Sequence, residues 1–574
     1  MMSPKKWEKR DGSMSIEEVV ARNTGMSIEA FLNPQKYMVI AGLQDAASAI
    51  QEALKNGTRI TIYGDYDVDG ITSTTILYIM LSAMGCAKVD VILPRRFTEG
   101  YGLSMKGVDR ISDGLLLTVD NGISAVDQIA AARAKGLKVV VLDHHLGRDD
   151  GRIPDADVIV DPHVIKGSDF EHYCGAGIAF KLACILIKNN TLLLKKLCAL
   201  AAIGTVADVM PLVSDNRAIV TKGLEYMNQG IVVPGLAALL TKLDLAHVSE
   251  GDIGFKIGPV LNAAGRMYDD GAARAFRVLA DPSAENALKG AEELIQTNEA
   301  RKEAVAEGYA LCEQIIEEHA LFADAPLLIY TPADAPIHLS EGIVGILAGR
   351  LAEKYKVPSI VMTETHDGTK FKGSARSYGD IHLKALLDTA ADCLAGYGGH
   401  AGAAGLSCEK ERVEELRSVL IDNLAKMGPI STEDPNTVYY DLEVNAHQLP
   451  AVLEKLKLFA PYGEGNPAPV FKVNGIRLTP RAGKFYRLMG NKGQHIKLFG
   501  TNYDVVGFDL APQYQAEEEP MYFDAVGMIS ENRFQSTVTP QLEMMDFHTR
   551  PAAKNVSPLA SALAERMKSR GFIK

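Results

Sequence analysis

The stretch RITIYGDYDVDGITSTT, residues 59–75, decides the fold of the first half of this chain. It joins a β-branched apolar run to three aspartates at every second position, Asp65, Asp67 and Asp69, and Gly70 follows at once. A helix-like segment comes next, which is the pattern of a strand leading into a crossover helix. Because three neighbouring carboxylates repel one another, the stretch also predicts a cation among them.

The same alternation of apolar run and helix-like segment continues to residue 163. Further runs are VDVILP (89–94), LLLTVD (115–120), KVVVLD (138–143) and DVIVD (157–161). Continuous apolar runs separated by helices predict a parallel sheet that is buried on both faces. Four of the five runs end in aspartate, and ligands of such sheets bind beyond the carboxyl ends of the strands. The sequence therefore predicts an acidic site at that edge.

The nature of this acidic site follows from its donors. An EF-hand is disfavoured because the chain has Ile76 where a calcium loop needs a bidentate glutamate. A solvated acidic turn is the alternative for residues 65–70 taken alone. The sequence VLDHH (141–145) adds Asp143, His144 and His145 at another strand end. Oxygen and nitrogen ligands together suit Mn²⁺, Mg²⁺ or Zn²⁺, so a divalent metal site is favoured.

Such a cluster predicts a reaction class. Two divalent ions about 4 Å apart share a bridging carboxylate, hold a hydroxide and neutralise a phosphoryl group under in-line attack. The cluster offers enough anionic ligands for two ions, and a phosphodiester is the natural substrate.

The rest of the chain suggests further domains. A helical region is predicted for about 175–280, and the charged, proline-free stretch after it reads as one linking helix over 283–319. A second α/β unit is predicted from residue 326 to about 430. From about 435 the pattern is β-like and indicates a small barrel.

Composition limits the class of protein. The chain has 574 residues, a net charge of -12 and seven cysteines without a CxxC pair. The charged start MMSPKKWEKRDGS lacks a signal-peptide core, and no apolar run is long enough to cross a bilayer. We therefore expect a cytoplasmic protein with no membrane contact and reduced thiols.

Several motifs resemble those of a known superfamily. GDYDVDG, LTVDNG, LDHH and GTVADVMPL are similar to the four successive motifs of DHH phosphoesterases, and GGHAGAAG (398–405) resembles the glycine-rich motif of the DHHA1 domain. More narrowly, five segments resemble the RecJ single-strand DNA exonucleases, namely PRRFTEGYGL (94–103), CGAGIAFKLA (174–183), GPVLNAAGRM (258–267), FKGSARS (371–377) and PYGEGNPAPVF (461–471).

The resemblance implies an activity and a metal ligand set. It implies a 5′ to 3′ exonuclease of single-stranded DNA that releases mononucleotides with two Mn²⁺ or Mg²⁺ ions and acts in DNA repair and recombination. Asp65 and Asp67 would serve the first ion, and Asp120 would bridge the pair. Asp69, His144 and Asp208 would hold the second ion. Asp208 would otherwise read as a helix end, and Asp161 is not required by the family motifs.

The resemblance also implies residues that handle substrate. His145 would approach the scissile phosphate, and Asp143 would orient the imidazoles. His400 would contact a phosphate or a base in a catalytic or binding role. The remaining residues match a pocket for the 5′-phosphate, and they are Arg96, Arg266, Ser374 and Arg376.

The predicted domain plan follows the family. It has an α/β parallel-sheet DHH domain (1–280, with an N-terminal extension and a helical part), a long connecting helix (281–322), a DHHA1 α/β domain (323–432), a C-terminal β-barrel of the OB-fold (433–550) and a tail (551–574). Within 481–500 of the barrel, lysines and arginines interleave with Phe485 and Tyr486, as in a groove that tracks single-stranded nucleic acid. An ordinary solvated hairpin is the alternative there. A monomer is expected, with a single strand bearing a 5′ end as substrate and a helicase or single-strand-binding protein as partner.

One departure and two rival functions stay open at this point. Many family members have Trp-His before GIVGILAGRL, whereas this chain has Leu339-Ser340, with His338 just before them. One rival is an oligonucleotide or cyclic-dinucleotide phosphodiesterase, which would match only to about residue 430. The other is an inactive DNA-binding scaffold, which would have lost metal carboxylates.

Overall fold

The computed structural model describes residues 5–34, 38–148, 150–321, 324–331, 339–365, 368–428, 430, 434, 436–490, 492–534 and 537–550. The chain divides into two compact units. The larger unit contains residues 29–432 together with Pro461–Asn466. The smaller unit contains the amino-terminal residues up to Ile28, Glu433–Ala460 and the residues from Pro467 onward.

The first part of the chain forms the predicted parallel sheet. In chain order its elements are β1 (Lys6–Lys9), α1 (Ile16–Thr24), α2 (Ile28–Leu32), α3 (Leu43–Lys55), β2 (Ile60–Tyr63), α4 (Val68–Ala83), β3 (Val89–Ile92), α5 (Met105–Asp109), β4 (Leu115–Val119), α6 (Val126–Ala134), β5 (Lys138–Leu142) and β6 (Val158–Val160). Strands β3, β2, β4, β5 and β6 lie side by side in that order, and all their pairings are parallel. Every residue of β2 and β4 is buried, as expected for a sheet covered on both faces.

Helix α4 is buried although its sequence contains serine and threonine. The hydroxyls of Thr72 and Thr75 donate to the carbonyls of Val68 and Ile71, one turn earlier, at 2.8 and 2.7 Å. This local bonding satisfies polar groups that would otherwise be costly inside a core. The helix can therefore pack into the centre of the unit and carry its first turn to the edge of the sheet.

A helical region follows, as predicted. Its elements are α7 (Gly175–Leu186), α8 (Thr191–Ala207), α9 (Ser214–Asn228), α10 (Pro234–Lys242), α11 (Glu250–Asp252), a π-helical turn (Ile253–Ile257), α12 (Gly258–Met267), α13 (Gly271–Ala280) and α14 (Ala284–Glu318). Helix α14 has 35 residues and is the linking helix expected from the charged stretch 283–319.

The second α/β part belongs to the same unit. Its elements are β7 (Leu327–Thr331), α15 (Val344–Tyr355), β8 (Ser359–Glu364), β9 (Lys370–Arg376), α16 (Leu383–Asp388), β10 (Gly396–Gly399), β11 (Ala403–Glu409) and α17 (Val413–Met427). The sheet order is β10-β11-β9-β8-β7, and only the pair β7–β8 is parallel. Leu339 is buried and packs against Gly308 of α14. Leu339 is thus part of the core at the position where the resemblance leads us to expect tryptophan, while His338 lies outside the described residues.

The smaller unit is mainly β-sheet. Its further elements are β12 (Thr437–Tyr440), β13 (Leu442–Asn445), α18 (Leu449–Leu456), β14 (Val470–Arg477), β15 (Tyr486–Met489), β16 (His495–Phe499), β17 (Asp504–Gly507), α19 (Ala511–Ala516), β18 (Tyr522–Phe534) and β19 (Thr537–Thr549). Seven strands form one sheet in the order β13-β14-β18-β19-β17-β16-β15. The β-rich domain expected after residue 435 is therefore present.

The amino-terminal residues correct the predicted domain plan. Strand β1 pairs in parallel with β12, so it belongs to the smaller unit and not to the parallel-sheet domain that was predicted to begin at residue 1. The Trp7 ring stacks on His548 with centroids 3.9 Å apart, and its indole N–H donates to Asp546 at 2.7 Å. Such distant pairing leaves no local signal in the sequence.

None of the helices in the described parts of the chain is long and apolar enough to cross a membrane. The predicted tail, 551–574, lies outside the described residues.

Gly70 provides a test of how α4 meets its strand. A Cβ atom at this position would lie 2.5 Å from the Asp65 carbonyl oxygen. We expect Gly70→Ala to lower the free energy of unfolding by about 1–3 kcal/mol, because overpacking forces the backbone to shift. Denaturant unfolding measures the change. Gly349→Ala in α15 is the matched control, since the added methyl there makes only ordinary contacts. Equal stability of the two variants would contradict this account of the close packing.

Candidate metal centre and arginine cluster

The sheet register places four aspartates at one edge. Val119 pairs with Leu142, and Leu142 pairs with Val160, so Asp120, Asp143 and Asp161 follow strands that end at the same level. Tyr63 of β2 pairs with Thr118, which brings Asp65 level with Asp120. The strand-end prediction is correct for each of them.

Helix α4 adds two more carboxylates from its first turn. Asp67 is the N-cap residue, and its side chain accepts a hydrogen bond from the Gly70 N–H at 3.0 Å. Asp69 accepts from the N–H groups of Gly175 and Ala176 at 2.6 and 2.9 Å. These donors are the first residues of α7, and a helix N-terminus favours a negative charge.

Gly175 is needed where α7 approaches the cluster. A Cβ atom there would lie 2.7 Å from the Asp120 Cβ and 2.9 Å from an Asp69 oxygen. Only glycine lets the helix end come this close to both carboxylates.

Asp208 joins the group from the end of α8, where its carboxylate lies within reach of His144. The His144 Nε2 atom is 3.0 Å from Asp120, 3.7 Å from Asp69 and 3.7 Å from Asp208. Burial, and then the neighbouring His145, lower the pKa of His144 to about 4. His144 is therefore neutral at physiological pH and can act as a ligand through Nε2.

Asp143 and His145 form a second pair beside this group. Asp143 accepts from the Ile123 N–H at 2.8 Å, from the His144 N–H at 2.8 Å and from His145 Nδ1 at 2.7 Å. Burial disfavours a charged His145, but the hydrogen bond to Asp143 and the negative charges of Asp143, Asp208 and Asp67 together outweigh burial and raise the pKa of His145 to about 9. His145 is therefore protonated at neutral pH, and Asp143 orients it.

The carboxylates of the group are crowded; Asp65, Asp69 and Asp120 are buried, and Asp67 and Asp208 are half-buried. Burial, and then the charges of neighbouring aspartates, raise the pKa of Asp65 and Asp120 well above the usual range and that of Asp208 to about 8. Among the residues that the structure describes, no lysine or arginine forms an ion pair with any member of the metal-centre group, which we define as Asp65, Asp67, Asp69, Asp120, His144 and Asp208. Among the described residues, the protonated His145 is the protein cation beside the group, and it balances only part of the negative charge that the group carries when ionised.

This group fits divalent ions. The structure contains three sets of residues in which the ligand atoms of one set all lie within 4.8 Å of one another. The sets are Asp65–Asp67–Asp120, Asp69–His144–Asp208 and Asp120–His144–His145. In addition, Asp65 Oδ2 is buried and has no hydrogen-bond partner. An orphaned buried carboxylate oxygen among oxygen and nitrogen donors suits Mn²⁺ or Mg²⁺.

The four residues predicted for the 5′-phosphate lie in a basic region beside the metal centre. The Arg96 guanidinium lies over the Tyr66 ring, 4.6 Å from its centroid, and Tyr66 stands between Asp65 and Asp67 in the chain. Burial, and then the charges of Arg96, Arg301 and Arg376, lower the pKa of Arg266 to about 10. We call Arg96, Arg266, Arg301 and Arg376 the arginine cluster. None of these four residues forms an ion pair with a described carboxylate.

Neighbouring contacts hold this cluster in place. Arg266 donates to the Gly342 carbonyl at 3.0 Å, which links α12 to the segment before α15. Arg376 donates to the Ser374 hydroxyl at 2.8 Å on strand β9. His400 is exposed in the turn between β10 and β11, where its Nδ1 accepts from the Gly402 N–H at 3.2 Å. That turn adjoins Arg376, because Ser377 N–H donates to the Gly402 carbonyl.

Sequence reasoning missed three residues. The Tyr101 hydroxyl is 2.8 Å from His145 Nε2, and glycines with positive φ flank it on both sides, a pattern that was a readable signal. His163 Nδ1 donates to the His144 carbonyl at 2.6 Å, and Asp161 orders this turn by accepting from the His163 N–H at 2.9 Å. Arg301 lies in the linking helix, where its charge looks like ordinary surface charge.

Several residues of the predicted nucleic-acid face form ion pairs and hydrogen bonds within the smaller unit. Arg481 and Lys497 both pair with the buried Asp504, at 2.7 and 2.9 Å. The Tyr486 hydroxyl donates to Glu519 at 2.5 Å. Of the cations in 481–500, Arg481, Lys484, Arg487 and Lys492 are exposed.

Comparisons with known proteins agree with this arrangement. Three family models match in order, the DHH family, N-terminal domain, over residues 59–205, the DHHA1 domain over 330–426 and the RecJ OB domain over 440–546. The single-stranded-DNA-specific exonuclease RecJ of Salmonella typhimurium is 34% identical over 79% of this chain and 80% of that protein. The RecJ protein of Escherichia coli is 34% identical over 75% of this chain and 78% of that protein.

Solved structures are similar as well. The crystal structure of Thermus thermophilus RecJ in complex with Mn²⁺ matches with a TM-score of 0.75 and 28% identity, over 93% of this chain and 76% of that one. The Mg²⁺ complex of the same protein matches with a TM-score of 0.69 and 27% identity, over 93% of this chain and 74% of that one. The order of domains, the shared sequence and the shared fold lead to one conclusion: this chain belongs to the RecJ family.

Proposed function

We propose that this protein is a single-strand DNA exonuclease that works from the 5′ end and releases mononucleotides with two Mn²⁺ or Mg²⁺ ions. The observation that carries the proposal is the metal-centre group, whose crowded carboxylates have no lysine or arginine partner among the described residues. It lies next to the arginine cluster, which forms no ion pair with a described carboxylate. A phosphodiester at a phosphorylated strand end carries charge that suits both regions.

The grouping of ligand atoms supports a division of labour. Asp65 and Asp67 would hold one ion, and Asp69, His144 and Asp208 the other. Asp120 would serve both, since it belongs to the first set and lies 3.0 Å from His144 of the second. Two divalent ions held by these residues would supply an ionised water near neutral pH and would neutralise charge on phosphoryl oxygens.

The residues around the ligands have roles of their own. Asp143 keeps His145 protonated, and its cationic ring can stabilise charge that develops on the scissile phosphate. The hydroxyl of Tyr101 orients the same ring from the other side. Gly175 and Ala176 hold the Asp69 carboxylate with their N–H groups and so fix one ligand before any ion binds.

The arginine cluster would select the strand end. Arg96, Arg266, Arg376 and the hydroxyl of Ser374 present donors that suit a terminal phosphate, and guanidinium groups bind phosphate in a bidentate manner. His400, in the adjoining turn, would contact the following backbone.

The rival functions are less well supported. The match to the RecJ OB domain over 440–546 favours a polymer over a dinucleotide as substrate. The complete set of carboxylates in one place argues against an inactive scaffold. The partner, a helicase or single-strand-binding protein, and the monomeric state stay predictions.

Asp120 tests the catalytic proposal. Its backbone has a φ of 60°, a conformation that asparagine also tolerates. We expect Asp120→Asn to abolish Mn²⁺-dependent release of a label from the 5′ end of a single strand, whereas the unaltered protein releases it as a mononucleotide. Without metal, the variant should melt at a higher temperature, because the amide replaces a carboxyl whose ionised form is disfavoured by burial and by neighbouring aspartates.

The control for this variant is Asp155→Asn, which removes an exposed carboxylate at the surface. It should digest DNA and melt like the unaltered protein. Undiminished digestion by Asp120→Asn would mean that the centre is wrongly placed, and release from a 3′ label first would refute the polarity.

The titration of the metal-free protein gives a second test. The Asp208 carboxyl has a pKa of about 8 when folded and an ordinary value of 3.8. Its contribution to stability is therefore complete below pH 3.8 and is lost as the pH rises towards 8. The contribution of His145 to stability has the same sign: it is complete below pH 6.5 and is lost as the pH rises towards about 9. His144 adds nothing above pH 6.5, since it is neutral there in both states.

We accordingly expect the melting temperature of the metal-free protein to fall between pH 6.5 and 9, measured by calorimetry in chelated buffer. Mg²⁺ should reverse most of the fall, since bound cations stabilise the ionised carboxylates. Asp208→Asn should flatten the profile. A profile that rises over this range would contradict the crowding of charge described above.

Arg266 tests end recognition. We expect Arg266→Gln to lower the preference for a 5′-phosphorylated over a 5′-hydroxyl strand by about 10- to 100-fold in kcat/KM, since a hydrogen bond to a charged group contributes about 1.5–3 kcal/mol. Arg274→Gln is the matched control, because that arginine is exposed and pairs with Asp270. An unchanged preference in Arg266→Gln would remove this residue from the pocket.

A further inference from the structure

The turn Pro461–Asn466, with the sequence PYGEGN, has no role in the metal centre or the arginine cluster. The residues before and after it belong to the smaller unit, but the turn itself is part of the larger unit. There it packs on Pro211 and Leu212, which follow Asp208 in the chain. This placement raises the question of what the turn does for the Asp208 segment.

The backbone after Asp208 is strained. Val209 has a φ of 55°, a left-handed conformation that is rare for a β-branched residue, and its side chain is 63% exposed. Strain of this kind persists only where the surroundings enforce it. Two bonds close the helix end, from Val209 N–H to the Val206 carbonyl at 3.2 Å and from Met210 N–H to the Thr205 carbonyl at 3.1 Å.

The turn contacts the other end of this strained segment through a hydrogen bond and close packing. Leu212 N–H donates to the Glu464 carbonyl at 2.7 Å. Gly463 and Gly465 approach so closely that a Cβ atom on either would lie 2.9 Å from a Leu212 or a Pro211 carbon. From the opposite side, the buried Asn216 donates to the Pro211 carbonyl at 3.2 Å.

The turn is itself rigid. Gly463 and Asn466 exchange backbone hydrogen bonds at 3.0 and 3.2 Å. The buried Asn466 side chain donates to the Pro461 carbonyl at 2.9 Å, and Tyr462 N–H donates to the Glu250 carboxylate at 3.1 Å. A rigid element can hold a strained neighbour, whereas a mobile one cannot.

We propose that the Pro461–Asn466 turn is a positioning element for Asp208. It fixes Pro211 and Leu212, which keeps Val209 in its strained conformation and holds the Asp208 carboxylate towards Asp69 and His144. The inference rests on the proposed function, because it takes Asp208 as a metal ligand. A released segment would let Asp208 turn away, and ion binding would then have to supply the cost of ordering it.

Gly465→Ala tests the proposal. Gly465 has a φ of 68°, so alanine adds both backbone strain and a clash with Pro211. Gly230→Ala is the matched control for strain alone, since Gly230 has a φ of 71° and open space around its Cβ position. Glu464→Ala is a control within the turn, because this residue is exposed and its hydrogen bond with Leu212 is made by the backbone carbonyl, which alanine retains.

The measurement is direct binding of Mn²⁺ to the full chain, followed by electron paramagnetic resonance of the free ion. We expect Gly465→Ala to weaken one of two sites by about 10- to 100-fold, the usual effect of losing a residue that orients a ligand. Both controls should bind like the unaltered protein. The KM for DNA at saturating Mn²⁺ should not change, whereas a general loss of structure would raise it.

A double variant completes the test. In an Asp208→Ala background, Gly465→Ala should cause no further loss of Mn²⁺ affinity, since the turn acts through that carboxylate. An additive loss, or unchanged affinity in Gly465→Ala alone, would overturn the proposal. If Gly465→Ala does not fold, Asn466→Ala loosens the turn without a clash, and unchanged affinity in that variant overturns it equally. Failure of the unaltered protein to bind Mn²⁺ would instead refute the proposed function.

Discussion

Repulsion between carboxylates at one edge of a parallel sheet is the constraint on which the rest of this structure depends. Asp65, Asp120 and the first turn of α4 meet there because the strands run in one direction and end at one level. The larger unit surrounds these charges with apolar core and gives them no lysine or arginine partner among its described residues. Cations from solution would therefore stabilise the arrangement.

The protein holds this repulsive set by means that cost local stability. Asp120 and Val209 adopt left-handed backbone conformations, and Gly175 brings a helix end against two carboxylates. Strained positions and close approaches cluster where a site must be preorganised. The arginine cluster concentrates charge of the opposite sign, and the Tyr66 ring, next to Asp65 and Asp67 in the chain, lies under Arg96. A phosphorylated strand end is complementary to both.

The parallel sheet and its acidic edge could be predicted from sequence because both follow from local periodicity. Asp65, Asp120 and Asp143 were found for that reason. Asp208 was different, since a helix end carries no such signal, and only the family motif pointed to it. Contacts made by loops, such as those of Tyr101 and His163 with the histidine pair, depend on tertiary structure. The pairing of β1 with β12 was missed because it joins strands from opposite ends of the chain.

The central claim is that the metal-centre group binds two divalent ions. Anomalous diffraction at the manganese edge from crystals soaked in Mn²⁺ tests it most directly. The account predicts two peaks about 4 Å apart, with Asp120 between them and His144 beside one. A single peak elsewhere on the surface, or none within this group, would contradict it.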